Sequence, residues 1–74
     1  MYYKLYSSEG CHLCEQALEL CQQAKIASQV AIIDIVEDEK LVDLYGISIP
    51  VLENSSTTEK LFWPFTLEQI KSFK

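Results

Sequence analysis

Gly10-Cys11-His12-Leu13-Cys14 holds two of the three cysteines, and it follows closely on the aromatic opening Tyr2-Tyr3-Lys4-Leu5-Tyr6. A helical pattern comes directly after it. Two cysteines separated by two residues at a strand-to-helix junction are typical of a redox site, because the partial positive charge of a helix N-terminus favours the reactive thiolate. A metal site and a structural disulfide are the two other common uses of such a pair.

The composition predicts a single globular domain over residues 1–74. Of the 74 residues, 49% are hydrophobic and 23% are charged, and the formal net charge is −5. All six basic residues are lysines, scattered singly, so the chain lacks the basic stripe that nucleic acids or an anionic membrane surface would require. We therefore expect partners that include neither nucleic acid nor membrane. We also expect the protein to be a monomer.

The expected cellular compartment limits how the cysteines are used. No apolar run approaches the ~20 residues needed to span a bilayer, and the opening residues lack the pattern of a secretory signal. These features predict a cytoplasmic protein, in which structural disulfides are rare and paired cysteines serve catalysis, redox sensing or metal binding. The odd number of cysteines also argues against a scaffold held by disulfides.

The first half of the chain predicts a strand, a helix and a second strand. The first strand is expected from Met1 to Tyr6 and the helix from Cys11 to about Ala27. Cys11 falls at the helix N-cap, and Cys14 falls one turn in, on the face turned toward the core. The continuous apolar run Val30–Val36 predicts a strand that is buried on both faces of the sheet. The apolar face of the helix comprises Cys14, Ala17, Leu18, Cys21 and Ala24.

A second helix is expected to begin at Glu37-Asp38-Glu39, where acidic side chains favour a helix N-terminus. Its apolar stripe comprises Leu41, Leu44 and Tyr45, and Gly46 is expected to end it.

The second half of the chain predicts a hairpin and a third helix. The apolar run Ile47–Glu53 is interrupted by Pro50, which predicts an edge strand or a functional bend, because proline lacks the backbone donor of a strand. The polar turn 54–58 and the run Glu59–Trp63 complete the hairpin. A capping box of Thr66 and Gln69, with the staple spacing of Phe65 and Ile70, predicts a last helix from Leu67 to the chain end.

The resulting order, β-α-β-α-β-β-α, resembles the thioredoxin-like superfold, and glutaredoxins in particular. The residues that carry the resemblance are Cys11-His12-Leu13-Cys14 at the start of the first helix and Ile49-Pro50 at the third strand. Gly10–Cys14, Ile49–Leu52 and Trp63–Phe65 are similar to segments of a small bacterial glutaredoxin-like group. The resemblance covers essentially the whole chain. It implies an α/β fold with a four-stranded mixed sheet flanked by helices, and a thiol–disulfide oxidoreductase that serves cell redox homeostasis.

The sequence differs from those glutaredoxins that use glutathione. Those members carry a lysine shortly before the dithiol and a Gly-Gly-x-Asp-like turn that holds the tripeptide. Here Ser7-Ser8-Glu9 precedes Cys11, the nearest earlier lysine is Lys4, and the chain contains no Gly-Gly pair. Protein or small-molecule disulfides are the expected substrates, with either glutathione or a reductase as the electron donor.

The predicted catalytic residues are Cys11, Cys14 and His12. Cys11 is expected to be the nucleophile because it lies at the helix start, and Cys14 is expected to resolve the mixed disulfide. As an imidazolium, His12 would lower the pKa of Cys11 and make the couple more oxidising. Alternatively its side chain points to solvent, and Glu9 would act in the opposite sense.

The predicted substrate-binding residues are Ile49 and Pro50. By the resemblance, Pro50 corresponds to the cis-proline that faces the dithiol, and it would hold the backbone of Ile49 open for an extended substrate. An ordinary trans proline is the alternative. Some of Tyr6, Trp63 and Phe65 would either line a substrate groove or pack in the core.

Other uses of the cysteines remain as alternatives. No metal or other cofactor is expected, because Cys11, Cys14, Cys21 and His12 on one helix cannot converge on a zinc ion. Cys21 is expected to be a buried small hydrophobe, about 10 Å along the helix axis from Cys14 and too far for a disulfide. The alternatives to an oxidoreductase are a metal or iron–sulfur carrier that binds through Cys11, and a protein-interaction module that keeps the fold.

Overall fold

The computed structural model describes residues 2–73, and within them four strands form one mixed sheet. The order across the sheet is β2-β1-β3-β4. β1 pairs in parallel with β2 and antiparallel with β3, which pairs antiparallel with β4. The strands are β1 (Tyr3–Ser7), β2 (Val30–Asp34), β3 (Val51–Asn54) and β4 (Lys60–Phe62). This is the mixed four-stranded sheet that the sequence predicts.

Three helices cover the two faces of this sheet: α1 (His12–Gln23), α2 (Glu39–Tyr45) and α3 (Leu67–Phe73). Because side chains alternate along a strand, neighbouring residues of β1 and β3 enter different cores. Leu5 and Leu52 pack with residues of α1 and α3, whereas Tyr6 and Val51 pack with Tyr45 of α2. The element order β-α-β-α-β-β-α is therefore confirmed.

The helix ends are fixed by side chains that the sequence identifies. Asp38 is the N-cap of α2, and its carboxylate accepts the N–H of Lys40 at 2.9 Å. Gly46 is the C-cap of the same helix. At α3 the capping box is complete: the Thr66 N–H donates to the Gln69 amide oxygen at 2.8 Å, and the Gln69 N–H donates to the Thr66 hydroxyl at 3.1 Å.

The prediction that the run Val30–Val36 is a strand buried on both faces is wrong. β2 ends at Asp34, a short 3-10 turn follows over Ile35–Glu37, and β2 lies at an edge of the sheet. As a consequence the side chain of Ile32 is 57% exposed. The two central strands are β1 and β3.

Other element boundaries also differ from the predictions. α1 ends at Gln23, short of Ala27, because Lys25 adopts the left-handed conformation (φ 63°) and the Ile26 N–H turns back to the Cys21 carbonyl at 3.0 Å. On α2, Leu44 is exposed and does not share the buried face with Tyr45.

β3 is not an edge strand, because it lies between β1 and β4. Pro50 precedes its first residue, so the missing N–H of proline falls outside the strand. β4 is shorter than the predicted Glu59–Trp63. Two predicted end residues, Met1 of the first strand and Lys74 of the last helix, lie outside the described residues. Within residues 2–73, no helix is long and apolar enough to cross a lipid bilayer.

Candidate active site

The cysteine pair lies at the end of the sheet where β1 and β2 finish and β3 begins. Ser7, the last residue of β1, pairs with Asp34, the last residue of β2, and the neighbouring Tyr6 pairs with Val51 at the start of β3. The loop after β1 leads to the start of α1 at the same end. We call this the dithiol end of the sheet.

Cys11 and Cys14 form a disulfide across the first turn of α1. Their Cα atoms are 5.2 Å apart, which is within the usual range for bridged cysteines. Cys11 is the N-cap of the helix, and its sulfur accepts the backbone N–H of Cys14 at 3.1 Å. A sulfur that already accepts a helix N-terminal N–H is placed where that N–H would also stabilise a thiolate.

The two residues of the pair differ in exposure. Cys11 is partly exposed, whereas Cys14 is only 7% exposed and faces the core, as its position in the predicted helix requires. Exchange needs one sulfur that an incoming group can reach and a second that is held beside it. The pair meets this geometric requirement, with Cys11 as the accessible member.

His12 projects into solvent beside this pair. Its side chain is 91% exposed, and its Nδ1 lies 3.6 Å from the carboxylate of Glu15, one helical turn further along. An exposed pair of this kind contributes little to stability. His12 follows Cys11 in the sequence, and in the structure its imidazole is directed to the Glu15 carboxylate.

A shallow groove of about 180 Å³ opens beside the cysteines. Both sulfur-bearing residues line it, as does Glu15. The remaining walls are apolar residues of α1 and the sheet together with the loop after β1: Leu5, Ser7, Ser8, Gly10, Leu18 and Ile32. The sequence offered one signal for Glu15, its spacing of three residues from His12, whereas Ile32 lines the groove from the edge strand β2 and had no such local signal.

Ile49 and Pro50 occupy the segment that leads into β3 at the dithiol end. The peptide bond between them is cis, and Pro50 is fully buried. The N–H of Ile49 donates to the Tyr45 carbonyl at 3.1 Å, and the Pro50 carbonyl accepts from the Trp63 N–H at 3.3 Å. The expectation of an open backbone at Ile49 therefore fails for its N–H, because the end of α2 already holds that group.

The aromatic residues considered for a substrate groove mainly belong to the cores. Tyr6 is buried, stacks on Tyr45 at 4.7 Å, and donates its hydroxyl to Glu53 at 2.7 Å. Burial, together with the Glu53 carboxylate, raises the pKa of Tyr6 above its ordinary value. Phe65 is buried and Trp63 packs against it edge-on at 5.1 Å, with the Trp63–Pro64 bond also cis.

Cys21 lies on the same helix as the pair but in a different environment. It is fully buried in the core and forms no disulfide. Burial raises the pKa of its thiol to about 11, so that the neutral form dominates at physiological pH. The prediction that Cys21 is a buried small hydrophobe is confirmed.

The described part of the chain offers no ready-made metal centre. Across residues 2–73, no group of three or more histidine, cysteine, aspartate or glutamate side chains is arranged to hold a metal ion.

A mixed sheet covered by helices on both faces, with a disulfide across the first turn of its first helix, defines a thioredoxin-like protein of glutaredoxin type. The model of the glutaredoxin-like domain (DUF836) matches residues 3–73. The chain therefore belongs to the glutaredoxin-like domain family. The cysteine pair and this membership fit a redox role.

Two solved structures are similar to this chain over nearly its whole length. One is the X-ray structure of Northeast Structural Genomics target protein XcR50 from X. campestris, at 34% identity, 96% coverage of this chain, 92% coverage of that chain and a TM-score of 0.86. The other is the solution structure of the same target, at 33% identity, 99% and 91% coverage and a TM-score of 0.87. No curated protein matches the chain significantly.

Proposed function

We propose that this protein is a thiol–disulfide oxidoreductase that works through Cys11 and Cys14. The observation that carries the proposal is the disulfide at the start of α1, whose two cysteines differ in exposure. Cys11 is partly exposed and its sulfur accepts a backbone N–H, whereas Cys14 is buried. Family membership and the predicted glutaredoxin resemblance support the same chemistry.

The reaction is a two-step exchange with Cys11 as the nucleophile. In the reduced protein the Cys11 thiolate attacks one sulfur of a substrate disulfide, which forms a mixed disulfide and releases one substrate thiolate. The Cys14 thiolate then attacks the Cys11 sulfur, closes the internal disulfide and releases the second substrate thiolate. Two electrons pass from the protein dithiol to the substrate, and the released thiolates take up protons from solvent.

Two residues beside the pair have narrower roles in this proposal. His12, as an imidazolium, would stabilise the Cys11 thiolate by electrostatic attraction at a distance and not by direct contact, because its imidazole is paired with Glu15. Ile49 and Pro50 supply the backbone beside which a substrate lies, and because the Ile49 N–H is bonded to Tyr45, pairing there uses the Ile49 carbonyl.

The electron donor that restores the dithiol is glutathione or a protein reductase. The groove beside the cysteines contains no lysine, and the sequence lacks the lysine and the Gly-Gly turn of glutathione-using relatives. These features favour a reductase. Reduction by a thioredoxin reductase, but not by glutathione, would identify the donor, and the cytoplasm is the compartment in which either system operates.

The test equilibrates the protein in glutathione buffers across a range of potentials and determines the fraction of Cys11–Cys14 disulfide by alkylation and mass spectrometry. We expect one reversible two-electron transition. Failure to form the intramolecular disulfide at any accessible potential would exclude the dithiol mechanism. A coloured or metal-bearing preparation that keeps its metal through Cys11 would instead favour a carrier.

Cysteine variants provide the matched controls. Cys11→Ser should abolish exchange, Cys14→Ser should trap the mixed disulfide, and Cys21→Ala should leave the transition unchanged, because Cys21 is buried away from the pair. A Cys11→Ser protein that exchanges at the rate of the unmodified protein would contradict the proposed roles.

A further inference from the structure

The negative charge of this chain is concentrated at the dithiol end. The segments 8–15 and 34–40, which leave the ends of β1 and β2, contain six of the eleven acidic residues and one of the six lysines. Their formal charge is therefore −5, which equals the charge of the whole chain, and the five acidic residues and five lysines elsewhere cancel. The six acidic side chains are all exposed: Glu9, Glu15, Asp34, Glu37, Asp38 and Glu39.

Three lysines, Lys25, Lys60 and Lys71, lie away from this end. Lys25 follows the C-terminus of α1, and Lys60 begins β4 opposite Glu53. Lys71 is in the last turn of α3, whose end is tied to the last residue of β3 by the bond from the Asn54 amide to the Phe73 carbonyl at 2.9 Å. The molecule measures 30 × 25 × 19 Å, and at physiological salt the dissolved ions screen interactions between exposed charges that are more than about 8 Å apart. These lysines therefore neutralise the dithiol end only weakly.

The groove beside the disulfide also carries negative charge, close to Cys11. Cys11, Cys14 and Glu15 line it together, and no lysine does. The Glu15 carboxylate is 79% exposed and its neighbouring charge is the titratable His12. A group that approaches the Cys11 sulfur through this groove thus passes a carboxylate and no fixed cation.

From this charge distribution we propose that the disulfides on which Cys11 acts carry positive charge beside their sulfur atoms. The inference rests on the proposed function and names the substrate class of the same site. A negative field around the nucleophile raises the local concentration of cationic reactants and slows the encounter with anionic ones. Glutathione disulfide carries a net negative charge at neutral pH and belongs to the disfavoured class. The reaction remains the two-electron exchange described above, with the cationic disulfide as oxidant.

The test compares three small disulfides that differ in charge: cystamine (cationic), bis(2-hydroxyethyl) disulfide (neutral) and dithiodipropionate (anionic). The pre-reduced protein is mixed with each, and oxidation of Cys11 and Cys14 is followed by acid quench and mass spectrometry. Each rate constant is divided by that of dithiothreitol, an uncharged dithiol, with the same disulfide, which removes the intrinsic reactivity of the probe. We expect the normalised rate to be about tenfold higher for cystamine than for dithiodipropionate at low salt.

Added salt and paired variants identify the field as the cause. The difference between the two charged probes should shrink severalfold between about 10 mM and about 500 mM salt, because the field is screened. The double variant Glu9→Gln/Glu15→Gln should reduce the cystamine preference. The control Glu59→Gln/Glu68→Gln changes the charge equally at exposed positions outside both acidic segments, and it should keep more of that preference.

The outcomes separate this inference from the proposed function. Equal normalised rates for the three probes, or a preference that ignores salt, would overturn the substrate class while leaving the exchange itself established. Equal effects of the two double variants would also overturn it. If no probe oxidises Cys11 and Cys14, the proposed function fails and the substrate class fails with it.

Discussion

The start of α1 and its middle place the same residue type in opposite chemical environments. At the start, Cys11 is partly exposed and accepts the Cys14 N–H, and the two sulfurs are bonded to each other. Further along the helix, Cys21 is fully buried among apolar side chains with a pKa of about 11. Position in the helix and access to solvent therefore distinguish the cysteines that we propose to react from the one that we expect to be inert.

Removing the proposed nucleophile should have the largest effect. We expect Cys11→Ser to reduce disulfide exchange to the background rate. The remaining Cys14 is buried, and it does not occupy the N-cap position that Cys11 has. The measurement is reduction of bis(2-hydroxyethyl) disulfide by the pre-reduced variant. Cys21→Ala is the control and should retain the full rate, so a large loss in that variant would erase the distinction between the two regions.

Alkylation should sharpen the same comparison without any change of sequence. At pH 7 a thiol of pKa about 11 is thiolate to only about 10⁻⁴, and Cys21 is also shielded from the reagent. We therefore expect iodoacetamide to modify Cys11 at least about a thousandfold faster than Cys21 in the reduced native protein. Tandem mass spectrometry of the peptide that contains residues 5–25 distinguishes the sites. Denaturant should remove the difference, and rapid native labelling of Cys21 would contradict its burial.

The buried thiol should also make stability depend on alkaline pH. The folded pKa of Cys21 lies above the ordinary unfolded value, so the unfolded chain loses its proton first as pH rises. Stability due to the protonated thiol is intact below about pH 8.5 and falls by up to about 1.4 kcal/mol per pH unit toward pH 11. Urea titrations of the unmodified protein and Cys21→Ala, compared across this range, isolate the effect from that of Tyr6. Parallel pH profiles for the two proteins would argue against it.

Serine substitutions should have the smallest effect, which is on stability. Cys21→Ser should destabilise the protein more than Cys11→Ser, the reverse of their order of effect on activity. Cys21→Ser buries a hydroxyl in an apolar core and should lower the free energy of unfolding by about 1–3 kcal/mol. Under reducing conditions Cys11→Ser should change it by less than about 0.5 kcal/mol, because serine is itself a preferred N-cap and can accept the Cys14 N–H. Urea denaturation with reductant present measures both. A larger loss in Cys11→Ser would indicate that Cys11 packs in the fold.

Local features of the sequence predicted much of the fold and the position of the cysteine pair at the start of α1. The N-cap position of Cys11 and the capping box of Thr66 and Gln69 follow from short-range spacing, and both are present. Short-range patterns succeed here because the bonds that they describe join residues within one helical turn. The cis bond before Pro50 came from the resemblance to glutaredoxins and is also present.

The failed predictions concern partners that are distant in sequence. A continuous apolar run such as Val30–Val36 does not indicate how many neighbours its strand will have, and β2 has only β1. The N–H of Ile49 is bonded to Tyr45 because of how the chain leaves α2, which no periodicity encodes. The groove that Glu15 and Ile32 line likewise brings together residues of α1 and β2 that are distant in sequence.

The central position of β1 affects how the chain folds during synthesis. Tyr3 pairs with Val30 on one side and with Asn54 on the other, so β1 precedes both of its neighbouring strands in the chain. During synthesis the segment of β2 becomes available to β1 before the segment of β3, so the native partner of one edge of β1 is made later than that of the other. The segment that carries Cys11 and Cys14 is therefore made before β2 and β3, and the dithiol end can be complete only after β3 has been made.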